Sequence, residues 1–113
     1  MNMKQRGVAA STAYLERIGQ TVLEPSTAPA PKGIDVLSID GGTLIGTVVI
    51  VTQPPMEVAP VPGRALDAAL RAITDYRDSH ATQCQAVRVD VISILVLAED
   101  RALLRHYREE RNG

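Results

Sequence analysis

The chain has 113 residues, 45% of them hydrophobic, with three tyrosines and no phenylalanine or tryptophan. That length suits one domain with an aliphatic core and needs no disulfide or metal staple, and the scarcity of aromatics argues against a stacking platform for nucleic-acid bases. With 12 basic and 13 acidic residues the net charge is −1, so no global field draws the chain onto nucleic acid or an anionic membrane.

Residues 4–19 read as an amphipathic helix, since Val8, Ser11, Leu15 and Ile18 recur at spacings of three and four, and Gly19 supplies a stop. Thr21 to Glu24 can form a short strand. The segment Pro25 to Lys32 has the proline density of a loop or polyproline stretch, through which no helix can run. Gly33 to Ile39 and Thr43 to Val51 are rich in β-branched residues and flank Asp40-Gly41-Gly42, which predicts a hairpin because glycine tolerates positive φ. The second of these strands is apolar on both faces, with Leu44, Val48 and Ile50 on one and Ile45, Val49 and Val51 on the other. A central position in a sheet covered on each side follows.

Gln53 to Gly63 is irregular, and helical spacing resumes from Arg64 to Ser79 with Leu66, Leu70 and Ile73, and with Ala69, Arg71, Arg77 and Asp78 on the wetter side. Val87 to Leu97 is the last predicted strand, with Val87, Val89, Val91 and Ser93 on one face and Arg88, Asp90, Ile92 and Ile94 on the other. A strand, loop, helix and strand in series suggest a right-handed crossover. Glu99 to Arg111 reads as a third helix, with Leu103, Leu104 and Tyr107 on one side and Arg101, Arg105 and Arg108 on the other. The expected class is α/β, one domain over 1–113, with an α-β-β-β-α-β core at about 6–97 and a helical tail at about 99–111.

The single cysteine, Cys84, cannot bridge internally, and neither a signal-peptide pattern nor an apolar run of about 18 residues is visible. A reducing cytoplasm is the expected setting, with no membrane partner. One cysteine and two separated histidines, His80 and His106, do not make a zinc-ligand set. His80 at a helix end and His106 in a polar tail read as capping or solvated groups. Asp40-Gly41-Gly42 lacks the further glycines and the following helix of a phosphate-binding loop, so turn chemistry accounts for it. The tail arginines read as a solvated face diluted by Glu99, Asp100, Glu109 and Glu110. Strand alternation places Asp35 with Leu37 and Ile39, where a carboxylate needs a partner, a metal or water. The plainer reading has it at the frayed start of the strand, beside Lys32 and Gly33.

Several segments taken together resemble the YraN-like family, small bacterial proteins of the restriction-endonuclease-like (PD-(D/E)XK) fold that are mostly assigned as endonucleases. The matching pieces are Gly7 with Tyr14-Leu15-Glu16-Arg17-Ile18-Gly19, then Val22-Leu23, Ile34-Asp35-Val36-Leu37, Asp40-Gly41-Gly42-Thr43-Leu44, the helix from Arg64, and Arg88-Val89-Asp90-Val91-Ile92. The resemblance implies a restriction-endonuclease-like core with a mixed central sheet flanked by helices.

The chemistry implied by that family places a carboxylate on one hairpin strand and a Glu-x-Lys pair on the next, often helped by a glutamate from the first helix, to hold Mg²⁺ and activate water. Asp35 falls at the first of these positions. Val48 and Ile50 fall on the Glu and Lys, and Val8 on the helical glutamate. One aspartate among apolar residues organises a hard cation poorly, so a catalytically inactive, nuclease-like domain is expected, with no cofactor and with a binding or assembly role. Its expected partner is a protein or another copy of the chain. Nucleic acid is the weaker candidate, with Arg64, Arg71, Arg101, Arg105 and Arg108 as candidate contacts. The alternative is a divergent Mg²⁺-dependent endonuclease with its site relocated around Asp35, to which Glu16, Glu57 or Asp90 would contribute, although no lysine is evident beside them in the sequence.

Overall fold

The first helix opens with a reciprocal cap: the Gln5 N–H donates to Asn2 Oδ1 at 2.8 Å and the Asn2 N–H to Gln5 Oε1 at 2.9 Å. Two of the donors that a helix start leaves without partners are thereby satisfied. This helix, α1, spans Met3–Arg17 in the computed structural model of the chain, which describes residues 2–24, 29–54 and 61–109. Its C-terminus closes where Gly19, at φ 97°, lets its own N–H reach Glu16 O and the Gln20 N–H reach Leu15 O, the left-handed glycine stop read from the sequence. The face turned inward carries Gly7, Ser11 and Leu15. Ile18 lies beyond the last turn and is 44% exposed, so it does not extend the apolar stripe.

After α1 come β1 (Thr21–Val22), β2 (Val36–Asp40), β3 (Thr43–Thr52), α2 (Gly63–His80), β4 (Ala86–Ala98) and β5 (Arg101–Glu109). The strands form one sheet in the order β1-β2-β3-β4-β5, antiparallel throughout except for the parallel pair β3 and β4. The hairpin stands as predicted. Asp40 pairs with Thr43, and Gly41, at φ 61°, is the first of two loop residues. Parallel pairing of β3 with β4 requires a crossover, and α2 lies between them in the chain. The segment Pro25 to Ala28 and residues 55–60 of the second irregular stretch lie outside the described residues.

β3 sits at the centre, and its two apolar faces are covered by different helices. Leu66, Ala69, Leu70 and Ile73 of α2 pack with Leu37, Leu44, Val89 and Val91, joined by Val48 and Ile50. On the other face Leu15 of α1 packs with Val36, Val49, Ile92 and Ile94, joined by Val8 and Val51. Two glycines set the helix-to-sheet distance. A Cβ on Gly7 would meet Val51 Cγ2 at 2.2 Å, and one on Gly46 would meet Ile34 Cδ1 at 2.8 Å and Ile73 Cδ1 at 3.2 Å. Among the described residues the architecture is therefore an α/β sandwich, a five-stranded mixed sheet between two helices.

The third helix predicted at 99–111 is absent from the described residues; Arg101–Glu109 is a strand that pairs antiparallel with β4. The turn is Glu99-Asp100, with Ala98 opposite Arg101 and an irregularity between Val96 and Ala98. Two physical terms outweigh the helical spacing. An isolated helix of this length is marginal in water, whereas a hairpin satisfies the outer N–H and C=O row of the 13-residue strand β4. Alternation also places Leu104 against the cluster beneath α1 and His106 among buried polar groups.

Candidate functional site

Asp35 lies at a bend immediately before β2, and the alternation expected for it breaks there. Ile34 takes the apolar position on the α2 side, while the Asp35 carboxylate turns toward α1, away from the face shared by Leu37 and Ile39. Its backbone N–H donates to Thr47 O at 2.9 Å, which fixes the edge of β3 that it faces. Two residues further along β3, Val49 points the same way, but β2 has already ended. The Asp35 carboxylate accepts from the Val49 N–H at 2.7 Å, and Lys4 Nζ donates to Val49 O. Lys4 also donates to Asp35 Oδ2 at 3.1 Å. Acid and amine thus complete the ladder where the neighbouring strand stops, and neutralise each other while doing so.

This arrangement supplies the lysine that sequence spacing did not place beside Asp35. It comes from the first turn of α1 instead of from β3. Lys4 sits one turn before Val8 on the inward side of α1, a relation that could be read from helical period only after knowing where Asp35 turns.

The other positions implied by the family resemblance are not gathered around this carboxylate. Val8 packs from α1 onto the sheet with an apolar side chain, whereas Val48 and Ile50 project to the opposite face and pack beneath α2. Of the acids considered as relocated ligands, Glu16 is exposed on α1, Asp90 is engaged elsewhere, and Glu57 lies outside the described residues. Among the described residues no group of three or more His, Cys, Asp or Glu side chains could hold a metal ion. A Mg²⁺ ion implied by the resemblance does not fit the residues present, because Oδ2 of Asp35 is committed to an ammonium and an amide N–H.

A second polar constellation lies deeper on the α1 side. Asp90 is fully buried in β4, where Arg88 Nε donates to Oδ1 at 2.7 Å and Arg88 Nη2 to Oδ2 at 3.1 Å. His106 Nε2 lies 2.7 Å from Oδ2, and the opposite ring nitrogen, Nδ1, lies 3.0 Å from Tyr14 Oη. The His106 side chain is only 8% exposed, and the Tyr14 ring meets it edge-on. This chain of contacts ties β4, β5 and α1 together and keeps a buried carboxylate paired on both oxygens. His106 is therefore neither solvated nor a cap. The signal that could have found it is an ionisable residue facing the same way on each of two adjacent strands, once residues 101–109 are read with period two.

Strand geometry also divides the arginine stripe expected for the tail. Alternation places Arg105 on the face away from α1 and Arg108 on the same face as His106, while Arg101, beside the β4–β5 turn, lines a cavity on the α1 side; all three are exposed. Arg64 and Arg71 are exposed on α2. A cavity of about 580 Å³ opens between the first half of α1 and the β4–β5 turn, lined among others by Met3, Arg6, Gly7, Ile94, Val96 and Glu99. Within the described residues no helix is long and apolar enough to cross a membrane.

No family model and no curated protein matches this chain. The fold and the two polar constellations are therefore what bears on its function.

Proposed function

We propose that this chain is a catalytically inactive domain with a nuclease-like α-β-β-β-α-β core, extended by β5, that serves a binding or assembly role. One observation carries the reading: the single carboxylate at the position where the resembling family holds its metal engages its Oδ2 in holding the sheet edge, accepting from the Val49 N–H and from Lys4 of α1. Those contacts complete a β-ladder and give a structural reason for keeping an acid at this position. Val48 and Ile50, at the positions of the Glu-x-Lys pair, contribute apolar packing beneath α2 and no group able to activate water.

The deciding experiment incubates the full chain with single-stranded, duplex and branched DNA in the presence of Mg²⁺ or Mn²⁺. No cleavage is expected. Metal-dependent cleavage that disappears in Asp35→Asn and in Lys4→Met would instead establish the relocated endonuclease, in which the 3.1 Å contact between Lys4 and Asp35 is a resting state opened by the cation.

A further inference from the structure

The two edges of the sheet differ. β1 is two residues long, while β5 runs for nine and, among the described residues, nothing pairs with its outer side. A long free edge exposes a row of N–H and C=O groups that favour another strand. The face of β5 away from α1 adds Leu103, 51% exposed, and Tyr107, 44% exposed, flanked by Arg105 and Glu109, with Arg101 at the end of the strand beside the turn.

We infer that β5 is a homodimerisation edge, pairing antiparallel with β5 of a second copy about a two-fold axis through Arg105, so that two five-stranded sheets join into one. The inference gives the assembly role proposed above a partner and rests on that reading only in this respect. Parity limits the choice of register. In an antiparallel pair, opposed residues either both direct their N–H and C=O at each other or both away, so a strand meeting its own copy matches residues of like parity and the axis passes through a residue. Charge then selects among the axes near the middle of the strand. An axis through Leu104 opposes Arg101 to Tyr107 and Arg105 to Leu103; an axis through His106 opposes Glu109 to Leu103 and Arg105 to Tyr107.

The axis through Arg105 opposes Arg101 to Glu109 of the second copy and Leu103 to Tyr107 of the second copy, each twice by symmetry. Opposite charges meet, and the two exposed apolar side chains of the strand cover each other. Nine paired residues would form about eight to ten new backbone hydrogen bonds. On that face the one mismatch is Arg105 against itself, a like-charge contact that keeps the association sensitive to salt.

Sedimentation of the full chain from micromolar to sub-millimolar concentration tests this, with a concentration-dependent species at twice the 12.1 kDa chain mass expected. Arg101→Glu and Glu109→Arg should each weaken self-association about tenfold by opposing like charges, while an equimolar mixture of the two variants should recover the wild-type affinity as a heterodimer. Recovery in the mixture also demonstrates that both variants fold. Amide exchange at residues 101–109 should slow as protein concentration rises. A monomer at every concentration overturns the inference, and so do single variants that associate as tightly as wild type. A DNA-cleaving dimer would refute the inactive reading and leave this one standing, whereas an inactive monomer would do the reverse.

Discussion

Asp35→Ala separates two roles for the carboxylate by the sign of its effect on stability. The substitution removes the acceptor of the Val49 N–H, formed at 2.7 Å, and one partner of Lys4. Val49 is 1% exposed and β2 begins only at Val36, so no neighbouring strand replaces the lost acceptor; a buried donor left in that state costs about 1–3 kcal/mol. The ion pair adds little. With side-chain exposures of 51% for Lys4 and 24% for Asp35, solvent screening confines it to about 0–1 kcal/mol. Water that enters the vacated position recovers part of the loss, which leaves about 1–2 kcal/mol. For a urea slope of about 2 kcal/mol/M the unfolding midpoint should fall by about 0.5–1 M. Asp35→Asn retains a carbonyl acceptor and should lose less than half as much. A carboxylate held in place for metal chemistry behaves oppositely, because functional groups kept at a cost to the fold stabilise it when neutralised. An unchanged or raised midpoint for Asp35→Ala, at constant slope, would refute the structural role.

Asp90→Ala should be the more damaging aspartate substitution, by about 3–5 kcal/mol, because it leaves Arg88 and His106 without the buried acceptor they share; thermal unfolding followed by circular dichroism measures it, and a loss no greater than that of Asp35→Ala would contradict the network. Replacing Arg88, Asp90 and His106 together by apolar residues should recover much of that stability. Gly7→Ala gains about 1 kcal/mol of helix propensity but places a Cβ 2.2 Å from Val51 Cγ2, an overpacking cost of about 1–3 kcal/mol. A net loss of stability is expected, with faster amide exchange in α1 than elsewhere.

The parts of the fold that were legible in the sequence are those where one strong local signal coincides with burial. Asp40-Gly41-Gly42 between β-branched runs fixed the hairpin, and the unbroken apolar run of β3 required cover on both faces, which α1 and α2 provide. The candidate site was less legible because Asp35 lies at the junction between loop and strand. Period two assigned it to the face of Leu37 and Ile39, but alternation does not govern a residue at a bend, and Ile34 takes the buried position instead. Lys4 was unreadable for a related reason: its partner is 31 residues away, and its value comes from a carbonyl left open by the early end of β2.

The segment 101–109 illustrates how one choice of period alters several conclusions together. Read as a helix, it sets Leu103 and Leu104 side by side on a core face and spreads three arginines along a solvent face. Read as a strand, it divides those leucines between opposite faces, so that Leu104 packs beneath α1 and Leu103 faces out with Tyr107. The same alternation carries His106 inward to the buried Asp90 carboxylate, where it joins Arg88 as a second partner. Adding this nine-residue strand also moves the edge of the sheet from the apolar β4 to β5, where charged residues alternate with apolar ones. A bare β4 edge would invite indiscriminate pairing. On β5 the positions of Arg101, Leu103, Tyr107 and Glu109 make one antiparallel register better matched than its neighbours, so the strand that closes the core also restricts what can add to it.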